Sequence, residues 1–159
     1  MTKKIKISLL ADHPLESKKI AQWYFDEWLH EIPELTVNRI SEKMSKSINR
    51  NSLPIMLLAH LNSSLIGVVE LKISENSSHP EYTPWLGGLY IKPNFRGNGY
   101  SNTLIGEAKQ TAINLGNDHL FLQCEKKNIG LYKKHGFKVL HDSSHGKFSV
   151  TIMKWEKIA

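Results

Sequence analysis

One cysteine, Cys124, stands in a chain of 159 residues, a scarcity that excludes an internal disulfide framework and a cysteine-rich zinc site. Long apolar runs are missing too. The longest, Ile55–Ala59 and Leu65–Val69, are strand-sized and far short of a membrane span. The Met1–Leu10 stretch carries Lys3, Lys4 and Lys6 but neither the apolar core nor the small-residue cleavage site of a secretory signal. No repeat, low-complexity tract or linker divides the chain. The expectation is a soluble, cytoplasmic protein of one domain spanning residues 1–159, with no membrane partner.

The composition is that of a globular protein, 40% hydrophobic and 23% charged. A chain of this size buries roughly 68–70% of the surface its unfolded form exposes, so it folds without a staple. Its net charge of +6 comes from lysines scattered in pairs, Lys18-Lys19, Lys126-Lys127 and Lys133-Lys134. A nucleic-acid groove calls for a contiguous basic stripe with interleaved aromatics, so no nucleic-acid partner is expected. The eight histidines place no His-x-x-x-His pair on a predicted helix, and no metal site is expected.

Periodicity gives the order of elements. A strand over Ile5–Leu10 precedes a helix that starts around Asp12-His13-Pro14, with Ala21, Tyr24, Phe25 and Trp28 on its apolar face. Thr36 can cap a second helix with Val37, Ile40, Met44 and Ile48 inward. Pro54–His60 and Leu65–Ile73 read as a hairpin around Leu61-Asn62-Ser63-Ser64. Alternation puts Val69, Leu71 and Ile73 on one face of its second strand and Ile66, Val68, Glu70 and Lys72 on the other. A polar loop, Glu75–Glu81, leads to a strand over Pro84–Ile91. Ser101–Leu115 reads as a helix stopped by Gly116, His119–Cys124 as a strand, and Ile129–His135 as a short helix ended by Gly136. Lys138–Asp142 and Lys147–Met153 form a last pair of strands. The class is mixed α/β, with helices packed on the faces of a sheet.

The most informative stretch is Ile91-Lys92-Pro93-Asn94-Phe95-Arg96-Gly97-Asn98-Gly99-Tyr100-Ser101. A strand ends there and two glycines open an amphipathic helix. Glycine lets successive N–H groups point at one spot, and the unpaired N–H groups and positive dipole end of the helix add to them. That combination binds phosphate, and Arg96 adds a permanent positive charge. A Walker loop needs a lysine where Tyr100 stands, and a dinucleotide fingerprint needs a glycine where Asn102 stands. Neither fits.

Trp85-Leu86-Gly87-Gly88-Leu89-Tyr90-Ile91 followed by Arg96-Gly97-Asn98-Gly99-Tyr100-Ser101 resembles the acetyl-CoA motif of the GCN5-related N-acetyltransferases, Arg/Gln-x-x-Gly-x-Gly/Ala after a strand. Leu131-Tyr132-Lys133-Lys134-His135-Gly136-Phe137 is similar to a second landmark of that family. The order of elements is similar over nearly the whole chain. The motif's last position holds Ser101 rather than Gly or Ala. Asn128 lies only four residues before Tyr132, a compressed form of the family's spacing.

The resemblance implies the acyl-CoA N-acyltransferase fold, a mixed, mostly antiparallel sheet of about seven strands flanked by about four helices. It implies acetyl-CoA as acetyl donor, a primary amine of a small molecule or peptide as acceptor, direct attack in a ternary complex, and no metal. Carried over by residue, Leu89, Tyr90 and Ile91 would hold the pantetheine arm. Arg96, Gly97, Asn98, Gly99, Tyr100, Ser101 and Asn102 would wrap the pyrophosphate, and Asn128 would reach the pantetheine. Gly87-Gly88 would permit a bulge that bends the strand and opens a wedge for the cofactor. Tyr132 would act as general acid toward the departing thiolate, with packing against Phe137 as its other reading. Glu70 would act as general base, with a salt bridge or solvated edge as its other reading; His79 and Glu81 are further base candidates. Cys124 reads as core packing. Trp28 and Trp85 could pack or line the acceptor side. The acidic loop His30–Glu34 would greet a cationic amine, while the basic chain as a whole would greet an acidic peptide. A catalytically weak acetyl-CoA sensor of the same fold is the alternative, and dimerisation stays open.

Overall fold

The computed structural model describes residues 4–158; Met1–Lys3 of the amino-terminal stretch and Ala159 lie outside the described residues. The chain runs β1 (Lys6–Leu9), α1 (Ser17–Tyr24), α2 (Val37–Met44), β2 (Ile55–Leu61), β3 (Ser64–Lys72), β4 (Trp85–Ile91), α3 (Tyr100–Asn114), β5 (His119–Cys124), α4 (Ile129–Lys133), β6 (Lys138–His145) and β7 (Phe148–Glu156). The seven strands form one sheet in the order β1-β2-β3-β4-β5-β7-β6. Every pairing is antiparallel except β4 with β5. The expected fold class and element order are both realised.

Each face of the sheet carries its own core. Leu57, Val69, Leu71 and Leu86 pack beneath Leu104, Ile105, Ala108 and Ala112 of α3. Met56, Leu58, Leu65 and Val68 pack on the opposite face beneath Ile20, Ala21, Tyr24, Ile40 and Met44 of α1 and α2. Thr36 caps α2 as expected, its hydroxyl accepting from the Arg39 amide at 3.1 Å.

Several expectations shift by a turn or a residue. The first helix starts at Ser17 after two 3-10 turns, because the Asp12 carboxylate is spent on the Leu9 amide and on Arg50. After Tyr24 one π-helical turn, Phe25–Leu29, is closed by His30 N–H to the Phe25 carbonyl at 2.9 Å. The widened turn rotates Trp28 off the apolar face, and it is 40% exposed. The second helix stops at Met44, leaving Ile48 half-exposed. β3 stops at Lys72, leaving Ile73 exposed. A register shift opposite Ala59 and His60 inserts Ile66 as an extra residue, which turns it toward α3 rather than toward the face of Val68 and Glu70. The last hairpin is longer than expected: β6 continues to His145 and turns at Gly146, whose φ is +59°.

Trp85 is a packing residue. It is fully buried against Phe121 and Ile152, and its indole N–H donates to the Tyr82 carbonyl at 2.6 Å. Trp85→Ala is expected to cost about 3–5 kcal/mol. That lowers the thermal midpoint by roughly 10 °C, measurable by circular dichroism.

Candidate active site

The site is built around two adjacent glycines in β4. Along the β3–β4 ladder Val68 faces Tyr90 and Glu70 faces Gly87, so β4 carries one more residue than β3 between those pairs. The extra residue forms a bulge, and Gly88 takes φ +58° within it. A Cβ on Gly88 would run into the Tyr24 hydroxyl and the Glu70 carboxylate, so both conformation and space demand glycine there. The Tyr24 hydroxyl donates to the Gly88 carbonyl at 2.6 Å, which satisfies a backbone group the bulge removes from the ladder.

Past the bulge, β4 and β5 part. Their only register pair is Trp85 with Phe121, next to a bond from the Phe121 amide to the Pro84 carbonyl at 2.9 Å. The edge of β4 from Gly87 to Ile91 is therefore left without a strand paired to it on the β5 side, and the gap between the two strands is the candidate cleft. Leu89, Tyr90 and Ile91 lie along that edge. Arg96 folds back onto the strand end: its Nε donates to the Ile91 carbonyl at 2.7 Å, and the guanidinium sits 5.2 Å from the centre of the Tyr90 ring.

The glycine loop closes one end of the cleft. Gly97 and Gly99 have φ of +82° and +80°, and a Cβ on Gly97 would meet nothing within 4 Å. Glycine is required there by conformation, not by crowding. Asn98 donates to the carbonyls of Phe95 and Arg96 and holds the loop's curl. α3 starts at Tyr100, and its first helical bond runs from the Thr103 amide to Gly99. The amides of Tyr100, Ser101 and Asn102 are thus the helix's unpaired first-turn donors.

α4 follows β5, the strand across that gap. The Asn102 side-chain Oδ1 lies 2.9 Å from His135 Nε2, so the start of α3 is tied to the end of α4. Tyr132 sits on α4, packed edge-to-face on Phe137 at 6.1 Å. Burial, helped by nearby Cys124, pushes its hydroxyl up to about 12. Asn128 is exposed in the turn before α4, where its amide donates to Glu125 at 2.9 Å. Cys124 lies 3.9 Å from the Met153 sulfur, and burial raises its thiol to about 11. A thiol held neutral is a poor nucleophile, which supports packing as its role.

On the α1 face of the bulge lies a cluster that the sequence only half revealed. Glu70 faces Tyr24 and Gly88, and Lys72 donates to Glu75 at 2.6 Å. Glu75 Oε2 would lie 3.2 Å from a Cβ on Gly87. Burial raises the Glu70 carboxyl from its ordinary value, opposed by Lys72. Lys72 is itself shifted upward, since Glu70 and Glu75 outweigh its burial. Tyr24 is pushed well above 10 by burial and by Glu70. Tyr24 reads in sequence as apolar helix face and Glu75 as polar loop. The doubled glycine facing Glu70 was the one signal that could have drawn them together.

The other candidates lie elsewhere. His79 stacks on Tyr82 and bonds Ser143 Oγ at 2.7 Å, and Glu81 is exposed. His13, Glu16 and His60 bring ligand atoms within 4.8 Å of one another, a grouping that spacing did not reveal. His60 Nε2 is already bonded to Glu16 at 2.7 Å, while its buried Nδ1 has no partner. That bond ties the start of α1 to β2. Among the described residues no helix is long and apolar enough to cross a membrane.

A family model described as the acetyltransferase (GNAT) family matches residues 17–137, well over half of the chain. Among solved structures, a GNAT-family acetyltransferase from Streptococcus pneumoniae is 20% identical, with a TM-score of 0.74 over 98% of this chain and 100% of that one. The PaiA N-acetyltransferase from Thermoplasma acidophilum, in complex with coenzyme A, is 26% identical, with a TM-score of 0.68 over 96% and 99%. An aminoglycoside 6'-N-acetyltransferase complexed with coenzyme A is 13% identical, with a TM-score of 0.76 over 97% and 98%. No curated protein sequence matches the chain.

The raised Glu70 carboxyl makes a signed prediction. Its folded form holds the proton more tightly than the unfolded chain does, so wild-type stability declines as pH rises above the ordinary value of 4.5. Glu70→Gln escapes that penalty. The variant should unfold at a higher temperature than wild type at neutral pH and match it below pH 4.5, as read from thermal scans across pH.

Proposed function

We propose that this chain, which belongs to the acetyltransferase (GNAT) family, transfers the acetyl group of acetyl-CoA to a primary amine by direct attack in a ternary complex. The observation that carries the reading is the parting of β4 from β5 beside the unpaired first-turn amides of α3. A strand edge with free hydrogen-bonding groups suits the amides of a pantetheine arm, and the helix start suits a pyrophosphate. The coenzyme A complexes of the PaiA and aminoglycoside enzymes support the same donor here. The reading takes residues 1–159 as one catalytic domain working in the cytoplasm.

In this reading Leu89, Tyr90 and Ile91 pair with the pantetheine arm through their backbone. One of their N–H groups polarises the thioester carbonyl and stabilises the oxyanion that forms on attack. The loop from Arg96 to Asn102 receives the pyrophosphate on its amides, with Arg96 fixing the strand end beside it. Asn128 approaches the pantetheine from the α4 side.

Glu70 is the base. A carboxyl whose affinity for protons is raised by burial is better matched to an ammonium than a solvent-exposed one. It takes the proton the amine must lose, directly or through water, and the amine nitrogen then attacks the thioester carbon. As the C–S bond breaks, the thiolate leaves as coenzyme A. Tyr132 faces that step. With its hydroxyl near 12, against roughly 8.5 for an ordinary thiol, full proton transfer is uphill. The tyrosine therefore contributes a hydrogen bond to the departing sulfur, and the second proton, which the attacking nitrogen sheds on becoming an amide, reaches the thiolate through solvent.

At about 100 times its Kd, acetyl-CoA should add about 2.7 kcal/mol of stability and raise the thermal midpoint by roughly 5–10 °C. ATP and NAD should leave the midpoint where it is. Tyr132→Phe should keep that rise while lowering kcat by about 100-fold, the loss of one hydrogen-bond donor in the transition state, followed as thiol release. A rise with no thiol release against a broad amine panel would favour a cofactor-sensing role instead.

A further inference from the structure

The charges around the β4 bulge do not follow those of the chain. The protein as a whole is +6, yet the groups gathered at Gly87 and Gly88 are two carboxylates, Glu70 and Glu75, against one ammonium, Lys72. Lys43 of α2 also bears on Glu70, but it is exposed and its influence is the weakest of those acting there. Tyr24 stays a neutral phenol. The surplus at the bulge is one negative charge.

The bordering π turn has the same sign. Asp26 and Glu27 are exposed on it and bear on Tyr90, and Glu31 follows, with Lys147 of the β6–β7 turn 3.7 Å away. Trp28, turned outward by the same π turn, stands 5.3 Å from the Tyr24 ring and 6.1 Å from the Tyr90 ring. An exposed indole among carboxylates is a surface that attracts cations. Arg96, whose guanidinium lies 5.2 Å from the Tyr90 ring, offsets part of this charge at the glycine-loop end of β4 and leaves the bulge end to Glu70 and Glu75.

We infer that the acceptor is an aliphatic cationic amine with no carboxylate near the reacting nitrogen, that diammonium ions are preferred over monoamines, and that Glu75 is the residue setting this preference. The inference rests on the acyl-transfer reading of the cleft given above. An acceptor amine arrives as an ammonium and meets the surplus carboxylate; Glu70 then takes its proton. A second ammonium on the same molecule is held by Glu75. An α-amino acid or an acidic peptide terminus would bring its carboxylate against Glu70 and Glu75, with only Lys72 to receive it. Lys72 is shared between Glu70 and Glu75, so one carboxylate stays uncompensated and an incoming carboxylate meets net repulsion. The choice between a cationic amine and an acidic peptide, which the sequence left open, is made by local charge and not by net charge.

The test uses the full chain with acetyl-CoA, reading thiol release with 1,5-diaminopentane, pentylamine and 6-aminohexanoate. These three share one reacting amine and differ in the charge at the far end. The diamine should exceed the aminohexanoate in kcat/KM by about tenfold or more, with pentylamine between them. Glu75→Gln should draw the ratio toward one while acetyl-CoA still raises its thermal midpoint, and Glu75→Asp should keep the preference. Turnover that favours 6-aminohexanoate, or a ratio unchanged in Glu75→Gln, overturns the inference and leaves the acetyltransferase reading standing. If acetyl-CoA binds and none of the three amines releases thiol, the inference falls. The broader reading falls with it only if a wide amine panel is silent too.

Discussion

The hydrogen bond from the Tyr24 hydroxyl to the Gly88 carbonyl, 2.6 Å long, links every part of the site. A bulge in a central strand breaks the ladder and leaves a carbonyl without its partner, a cost that a buried backbone group does not tolerate. Tyr24 removes that cost from above the sheet, and α1 is thereby locked over the bulge. With the bulge held, β4 turns away from β5 after a single register pair, and the parting edge becomes a cleft. The same contact brings Glu70 beside the bulge, because the residue opposite Gly87 in the β3 register is Glu70. Strand geometry, cleft and candidate base therefore share one origin.

The cleft joins two electrostatic environments. At the glycine loop, Arg96 and the unpaired amides of α3 present positive charge and donors, which suits phosphate. At the bulge, Glu70 and Glu75 outnumber Lys72, which suits an ammonium. A donor that carries phosphates and an acceptor that carries positive charge would each be drawn to its own end. Tyr132 lies on α4, and the contact between Asn102 and His135 ties the end of that helix to the start of α3. His135 is shifted downward by burial and by Lys109 and Lys134, so neutral imidazole is its form at neutral pH.

Much of this could be read from the chain alone. Gly97 and Gly99 flagged a strand-to-helix turn because no other residue adopts those backbone angles readily. Thr36 marked a helix start, and Gly87-Gly88 marked a bulge. Each of these is a local constraint, written within a few residues. The departures have the opposite character. Trp28 left the core because one turn widened to the π form, and Ile66 changed face because of a one-residue insertion in the β3 register. Trp85 packs because Phe121 and Ile152, distant in sequence, enclose it. Glu75 was one acid in a polar loop until the fold returned it to Lys72 and Gly87. Periodicity carries no information about which loop residue folds back onto which strand.

The claim on which everything else rests is that the parted edge of β4 and the start of α3 together hold acetyl-CoA. Amide hydrogen exchange with and without the ligand reads those segments directly. Binding should slow exchange at Leu89–Ile91 and at Gly97–Asn102, with little change along β1, β2 and the exposed strand β6. Protection confined to other segments, with 89–91 and 97–102 exchanging as in the free protein, would contradict the account.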